Sequence, residues 1–340
     1  MLILTCIIVE KIDYVFNSIP PYTLIIIYQY MILSNYVNTF GQSMKLKYGE
    51  RVHKISLNAN LTCPNRDGSK GIGGCSFCNV SSFNPDARNP KNIQQQILAG
   101  KKIIKKRTGA KKYLAYFQAY TNTYGDIEQL KTLYDQALAE KNIIGLSIGT
   151  RPDCVPESVI RLLAEYQQKG YEIWLELGLQ SAFDKTLNKV NRGHGFSEYV
   201  QAVRMANAYG IKVCTHLIIG LPEEDDSHFE TTLSRVLNEG VSGLKLHPLH
   251  VVKGTRLAKD YAKKIYTPIT LNDYINNVAN LIEMTPDDVI YHRVTGTASQ
   301  DILIAPEWCS KKWIVINKIT QELHNRQLHN RENTTKPLCA

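Results

Sequence analysis

Cys63, Cys75 and Cys78 put three of the chain's eight cysteines inside sixteen residues, on a loop that also carries Gly68, Gly71, Gly73 and Gly74. Three thiols on a glycine-rich loop favour a metal site over a disulfide. A structural zinc takes four protein ligands and is closed. Three thiolates on a four-iron cluster instead leave one iron open to another molecule. The glycines let the loop turn tightly and bring backbone N–H groups near the sulfurs. The other five, Cys6, Cys154, Cys214, Cys309 and Cys339, are scattered without repeated spacing. That distribution fits a reducing, cytoplasmic compartment rather than a secreted disulfide scaffold.

The elements that must position this loop follow a regular alternation. Val52–Leu57 alternates apolar and polar residues and reads as a strand leading into the loop. Strands are expected over Tyr113–Phe117, Ile143–Ile148, Tyr171–Leu179, Ile211–Ile219 and Leu244–Val251. Helices are expected between them, over Asn92–Arg107, Ile127–Glu140, Pro156 to Gly170, Ser197–Tyr209 and Ser227–Glu239. Six β–α repeats, spaced roughly 30 to 40 residues apart, are the signature of a parallel sheet. The chemistry-bearing residues follow several different strands: the cysteines, then the run Thr150 to Asp153, then Gln180 and Ser181. That spread favours a barrel over a doubly wound sheet, which gathers its site at one switch point. The expected architecture is a partial (β/α)6 TIM-like barrel over residues 34–252. A small α/β extension over 253–330 contains a helix at Leu271–Met284, a strand at Val289–Val294 and a helix at Lys311–Leu328. In that last helix Trp313, Ile316 and Ile319 recur at helical spacing. Residues 331–340 read as a polar, disordered tail.

From about Tyr36 to about His329 the sequence resembles the radical S-adenosylmethionine (radical SAM) superfamily, and within it the Elongator-type branch and its YhcC-like subgroup. The resemblance is carried by the C-x11-C-x2-C loop and by Glu176–Gln180 through Asn191–His194. It implies an enzyme in which Cys63, Cys75 and Cys78 hold a [4Fe–4S] cluster and SAM chelates the open iron. One-electron reduction of SAM, from a flavodoxin- or ferredoxin-type donor, would then give a 5′-deoxyadenosyl radical that abstracts hydrogen from a substrate. It further implies that Phe77 lies beside the cofactor and that Gln180 binds the ribose hydroxyls. Arg192 would pair with the SAM carboxylate, with His216 near the ribose and Ile218 beside adenine. Where relatives carry a Gly-Gly-Glu for the SAM ammonium, residues 118–123 have no carboxylate, so Asn122 or backbone carbonyls would do that task. The basic balance and the Elongator kinship lean towards RNA, such as a tRNA base, as substrate. The region after residue 260 is too short for the acetyltransferase domain of the Elongator subunit.

Other candidates carry two readings each. Arg151 and Asp153 could fix a ligand or pair with each other. Cys154 could donate a hydrogen atom or be a buried small hydrophobe. His247, His250 and His292 could line the substrate side or be polar core residues. Trp308 and Cys309 match a subgroup feature without a derivable role. Seven positive charges over Lys101–Lys112 could track phosphates or be a solvated helix face. Two rival functions remain: a zinc-binding RNA module with a histidine such as His53 as fourth ligand, and a cluster protein that senses iron or redox state.

Composition bounds the rest. The chain of 340 residues is 44% hydrophobic, enough for a sizeable core, and carries a formal charge of +9, which suits an anionic partner. Residues 1–33 hold two apolar runs interrupted by Glu10, Lys11, Asp13 and Pro20-Pro21. Neither reaches the roughly 20 residues a spanning helix needs. The segment reads as a packed extension, a peripheral membrane contact, or upstream sequence before a start at Met31, and the late onset of pattern favours the last. Oligomeric state is not readable.

Overall fold

The structure, a computed structural model, describes residues 32–79 and 92–334. The apolar segment before residue 32 and the tail beyond 334 lie outside the described residues.

Seven parallel strands form one sheet in chain order: β1 (Val52–Leu57), β2 (Lys112–Phe117), β3 (Ile143–Thr150), β4 (Glu172–Gln180), β5 (Lys212–Ile219), β6 (Gly243–Pro248) and β8 (Ile290–Arg293). In a flat sheet β1 and β8 would stand about 29 Å apart at the usual strand spacing. Instead Lys54 Nζ of β1 lies 2.8 Å from His292 Nδ1 of β8 and 2.5 Å from Glu176 Oε1 of β4. Lys245 Nζ of β6 likewise donates to Tyr116 OH of β2 at 3.0 Å. The sheet is therefore curled into a partial barrel. Helix α1 (Phe40–Tyr48) fills the gap between its first and last strands, and Thr39 bridges to Tyr291 of β8.

Period-two alternation explains what faces where. Ile55, Ala115, Phe117, Leu146, Ile148, Leu175, Leu177, Leu244 and Leu246 point outward into the main core. That core is closed by α2 (Ile93–Thr108), α3 (Ile127–Leu138), α4 (Glu157–Gln168), α5 (Asp184–Lys189), α6 (Phe196–Ala208) and α7 (Asp226–Leu237). Inside, the base is an apolar plug of Val52, Leu114, Trp174 and Cys214 against Phe40 and Met44 of α1. The His292 ring is wedged edge-on between Phe40 and Trp174, at 4.5 and 4.3 Å between centroids. Above the plug the interior turns polar.

Four expectations change. The strand assigned to the covering region, at Val289–Val294, is the barrel's seventh strand. The run Leu244–Val251 does not continue as one strand: β6 ends at Pro248, which has no N–H to donate onward. Val251–Val252 (β7) then leaves the barrel to pair antiparallel with Leu303–Ala305 (β9). After α8 (Arg256–Ala262) and α9 (Leu271–Glu283), the last helix α10 (Lys312–Thr334) packs on α9 through Val315, Ile319 and Leu323. Trp313, expected on that face, is 71% exposed, because the buried stripe runs at i, i+4, i+8 from Val315. The tail boundary expected after residue 330 falls within α10.

Candidate active site

The eleven residues between Cys63 and Cys75 fold back on themselves. Pro64 O accepts from the N–H groups of Lys70 and Gly71, Asp67 bridges to Ile72, and Gly74 N–H donates to Asn65 O at 2.7 Å. The excursion thus closes before Cys75, so a long sequence gap becomes a short spatial one. At Gly74, with φ +78°, a Cβ would stand 2.8 Å from Arg66 Nε. Glycine there admits the guanidinium that reaches the Cys78 carbonyl at 2.7 Å.

A second loop, from β4 through residues 190–194, is clasped to the first. Ser76 N–H donates to Val190 O at 2.9 Å, Asn191 Nδ2 to Gly74 O at 2.8 Å, and Asn65 Nδ2 to Asn191 O at 2.6 Å. Arg192 is buried, its Nη1 3.3 Å from Cys75 Sγ and its Nε and Nη2 on Gly178 O at 3.2 and 2.5 Å. Gly178 is required there, since a Cβ would come within 2.7 Å of Arg192 Nη2. A bulge between Gly178 and Gln180 ends β4, and Gln180 sits at φ +84°, a left-handed conformation that non-glycine residues rarely adopt.

One cavity at the strand ends is lined by all three cysteines, Arg66, Phe77, Gln118, Tyr120, Thr121, Arg151, Gln180 and Arg192. Arg151 forks onto Asp153, Nε to Oδ1 at 2.9 Å and Nη2 to Oδ2 at 3.0 Å, while Lys70 Nζ reaches the same carboxylate at 2.6 Å. Its Nη1 is buried without a hydrogen-bond partner, as is Thr121 Oγ1. Buried orphans on a cavity wall are groups left for something that binds there.

The cavity floor is built around Glu176, which is fully buried. Lys54 Nζ and Ser147 Oγ each donate to Oε1 at 2.5 Å; His216 Nε2 lies 2.7 Å from Oε2, which also takes Lys245 Nζ. Burial pushes the Glu176 carboxyl up, but Lys245 and Lys54 hold it well below its usual range, so it stays ionised. His216, lowered by burial and Lys245 to about 4, is neutral at pH 7 and must donate from Nε2, leaving Nδ1 as an acceptor. Burial lowers Lys245 to about 8 against the pull of Glu176.

The model of the "Radical SAM superfamily" matches residues 63–236, and that of the "Radical_SAM C-terminal domain" matches residues 241–325. The chain belongs to the radical SAM superfamily. Protein YhcC of Escherichia coli (strain K12) is 47% identical over 283 residues, 83% of this chain and 91% of that protein. The tRNA uridine(34) acetyltransferase of Dehalococcoides mccartyi (strain CBDB1) is 31% identical over 174 residues, 50% of this chain and 36% of that protein. The solved structure of the archaeal Methanocaldococcus infernus Elp3 with N-terminus deletion (1-46) resembles it in fold, with a TM-score of 0.61 at 16% identity. That match covers 82% of this chain and 63% of the other, so this chain spans less than two thirds of the Elp3 chain's length. As a YhcC-like radical SAM protein with Elongator-type kinship, it is an enzyme of the general radical SAM type.

Of the radical SAM site residues expected from sequence, Cys63, Cys75, Cys78, Phe77, Gln180, Arg192 and His216 share this cavity. Ile218 does not line it, but packs in one apolar cluster with Phe77. Asn122 also stands outside its wall. Tyr120 at φ +64° reverses the chain, and the Asn122 amide is fully buried, donating to Gly149 O at 2.8 Å. Thr121 faces the cavity in its place. Arg151 and Asp153 do pair, and Arg151 still presents Nη1. Cys154 lines a separate outer groove with Thr123 and Pro156, and burial pushes its thiol up to about 12, so a hydrogen-donor role at the cysteine cavity has no geometric basis. His53 lies near the start of β1, at the far end of the strand from Cys63, and cannot complete a zinc site with the loop. His247 lines the floor, His292 is in the base plug, and His250 is half-buried with its Nε2 out of reach of water and unpartnered among the described residues. Cys309 is buried, and Trp308 packs on Tyr274 at 5.1 Å between centroids. The lysine run ends α2 just before β2 begins, hence at the base of the barrel, away from the cysteines. Lysines there favour the helix C-terminus.

Glu176, Cys214 and His292 bring ligand atoms within 4.8 Å of one another. A cation there would meet two ammonium groups already bound to the carboxylate, which argues against a metal. The residues that sequence reasoning missed are Lys54, Tyr116, Lys245, Arg293, Arg66 and Thr121. The available signal was Glu176 and Lys245, each a charge set between two leucines inside a strand.

Proposed function

We propose that Cys63, Cys75 and Cys78 hold a [4Fe–4S] cluster and that SAM lies in the adjoining cavity, between the cysteine loop and the end of β4. The observation that carries this reading is the convergence of three thiols, the guanidinium groups of Arg66, Arg151 and Arg192, and the orphaned Thr121 hydroxyl on one cavity at the C-terminal ends of parallel strands. Three thiols with Arg66, Arg151 and Arg192 around them fit an anionic thiolate-ligated cluster. When bound, the cluster and SAM supply a 5′-deoxyadenosyl radical through one-electron reduction and loss of the C5′–S bond.

The chain's own residues bind and orient. Arg192 would hold the Cys75 thiolate by a charge-assisted hydrogen bond, and Arg151 Nη1 would take the SAM carboxylate that Arg192, already committed to Gly178 O, meets less fully. Gln180 would bridge the ribose hydroxyls, with the bare Nδ1 of His216 as a further acceptor. Phe77 and Ile218 would exclude water beside adenine. A flavodoxin- or ferredoxin-type protein would deliver the electron. RNA, and tRNA in particular, is the substrate class supported by the charge of +9 and by the similarity to a tRNA uridine(34) acetyltransferase.

Anaerobically reconstituted protein should show a broad band near roughly 400 nm, absent in Cys63→Ala. After reduction it should form 5′-deoxyadenosine from SAM. A cluster-replete protein that makes none, with and without cellular RNA, would falsify the assignment.

A further inference from the structure

We propose that Lys245 and Arg293, on the cavity floor beside His216 and His247, bind an anionic group of the substrate, either a carboxylate or a phosphate. The inference rests on the radical SAM reading above and names the chemistry of the molecule it acts on.

The cavity wall carries Arg66, Arg151 and Arg192 at the cysteine end and Lys245 and Arg293 at the floor, with Glu176 as its single acid among the described residues. The upper guanidinium groups have thiols beside them. The floor has no such balance: Lys54, Lys245 and Arg293 face Glu176 alone, and that carboxylate is saturated by four donors. Arg293 pairs in register with Lys245 across the last two strands and is half-buried. Among the described residues its side chain has neither a hydrogen bond nor an ion pair. A guanidinium carries five N–H donors in a planar fork. Half-buried on the cavity wall with none of them used by a described residue, the fork is available to a group that enters the cavity, and its shape matches a carboxylate or phosphate. The His247 imidazole, its ring centroid 5.9 Å from that of His216, lies beside the two cations and is kept neutral by burial, so its N–H can donate to an anion without adding charge. A neutral substrate would leave the floor's two excess charges uncompensated.

The test uses the full reconstituted chain and equilibrium dialysis with radiolabelled malonate and, separately, inorganic phosphate. The wild type should bind one of these anions, and Arg293→Gln should weaken that binding about tenfold or more. Arg293→Lys should recover part of it. Preference for malonate identifies a substrate carboxylate, and preference for phosphate identifies a nucleotide phosphate. Retention of the cluster absorption in both variants excludes misfolding; should Arg293→Gln lose it, Lys245→Gln is read in the same way. Binding of neither anion, or equal binding in wild type and the glutamine variants, overturns the proposal. The two readings separate cleanly. If the wild type makes 5′-deoxyadenosine but its anion binding ignores Arg293, the anion site falls alone. If anion binding depends on Arg293 but no 5′-deoxyadenosine forms, the radical assignment falls and the anion site stands.

Discussion

Gln180 shows conformational strain held at a site. A non-glycine residue at φ +84° costs roughly 1–3 kcal/mol and persists only where its surroundings hold it. Gln180→Gly should therefore raise stability in urea by about 1 kcal/mol while weakening SAM binding. A variant that is both more stable and equally tight for SAM would remove Gln180 from the cofactor's neighbourhood. At this scale the sequence was legible where spacing carries the information. Cys63, Cys75 and Cys78 line one cavity, as their spacing suggests, and Gln180 and Arg192, which the resemblance placed, line it with them. Asn122 was not legible, because one reversal at Tyr120 decides which of two adjacent side chains faces inward, and composition does not encode that choice. Arg293 was hidden for a related reason: its strand was assigned to a covering layer, so its inward direction had no meaning until the sheet curled.

Among the elements, β4 is the organiser of both ends of the barrel. Glu176 in its middle builds the floor, and Glu172 at its start ties down the base. The Glu172 carboxylate accepts from Lys47 of α1 at 2.5 Å, Tyr48 OH at 2.8 Å, Lys212 of β5 at 2.8 Å and Trp174 Nε1 at 2.8 Å. Burial pushes this carboxyl up, but Lys212, Lys47 and Tyr48 together hold it down at about 2. Because the folded value lies below the unfolded one, this stabilisation is complete above about pH 4.5 and disappears as pH falls towards 2. Glu172→Ala should cost about 1–3 kcal/mol at pH 7, since it strands the buried Trp174 Nε1, while Lys47 and Lys212 stay in reach of water. Chemical unfolding measured at neutral pH and near pH 3 should show a smaller gap between variant and wild type in acid; a constant gap would mean the ion pairs add nothing. The long helices and central strands were readable because their periodicity spans several turns or pleats. Helices α1, α5 and α8, of nine, six and seven residues, are too short to show a repeat above their neighbours. The stripe of α10 was misjudged because Trp313 is apolar yet exposed, and only the packing partner α9 selects Val315, Ile319 and Leu323.

At the scale of the whole molecule, no helix among the described residues is long and apolar enough to cross a membrane. The barrel joins two segments more than a hundred residues apart into one cradle: the cysteine loop and residues 190–194, held by three reciprocal hydrogen bonds. The second segment contributes no cysteine, yet its order depends on the first. Stripping the iron with a chelator should raise amide hydrogen exchange at Ser76 and across residues 190–194 together, while the buried centres of β3 and β4 stay protected. Loosening confined to residues 63–78 would contradict the clasp. One consequence is practical. Lys189 and Arg192 flank the clasped turn, so a molecule whose cluster has decayed in air should be nicked there by trypsin well before it unfolds, and the resulting fragment pair would date the damage.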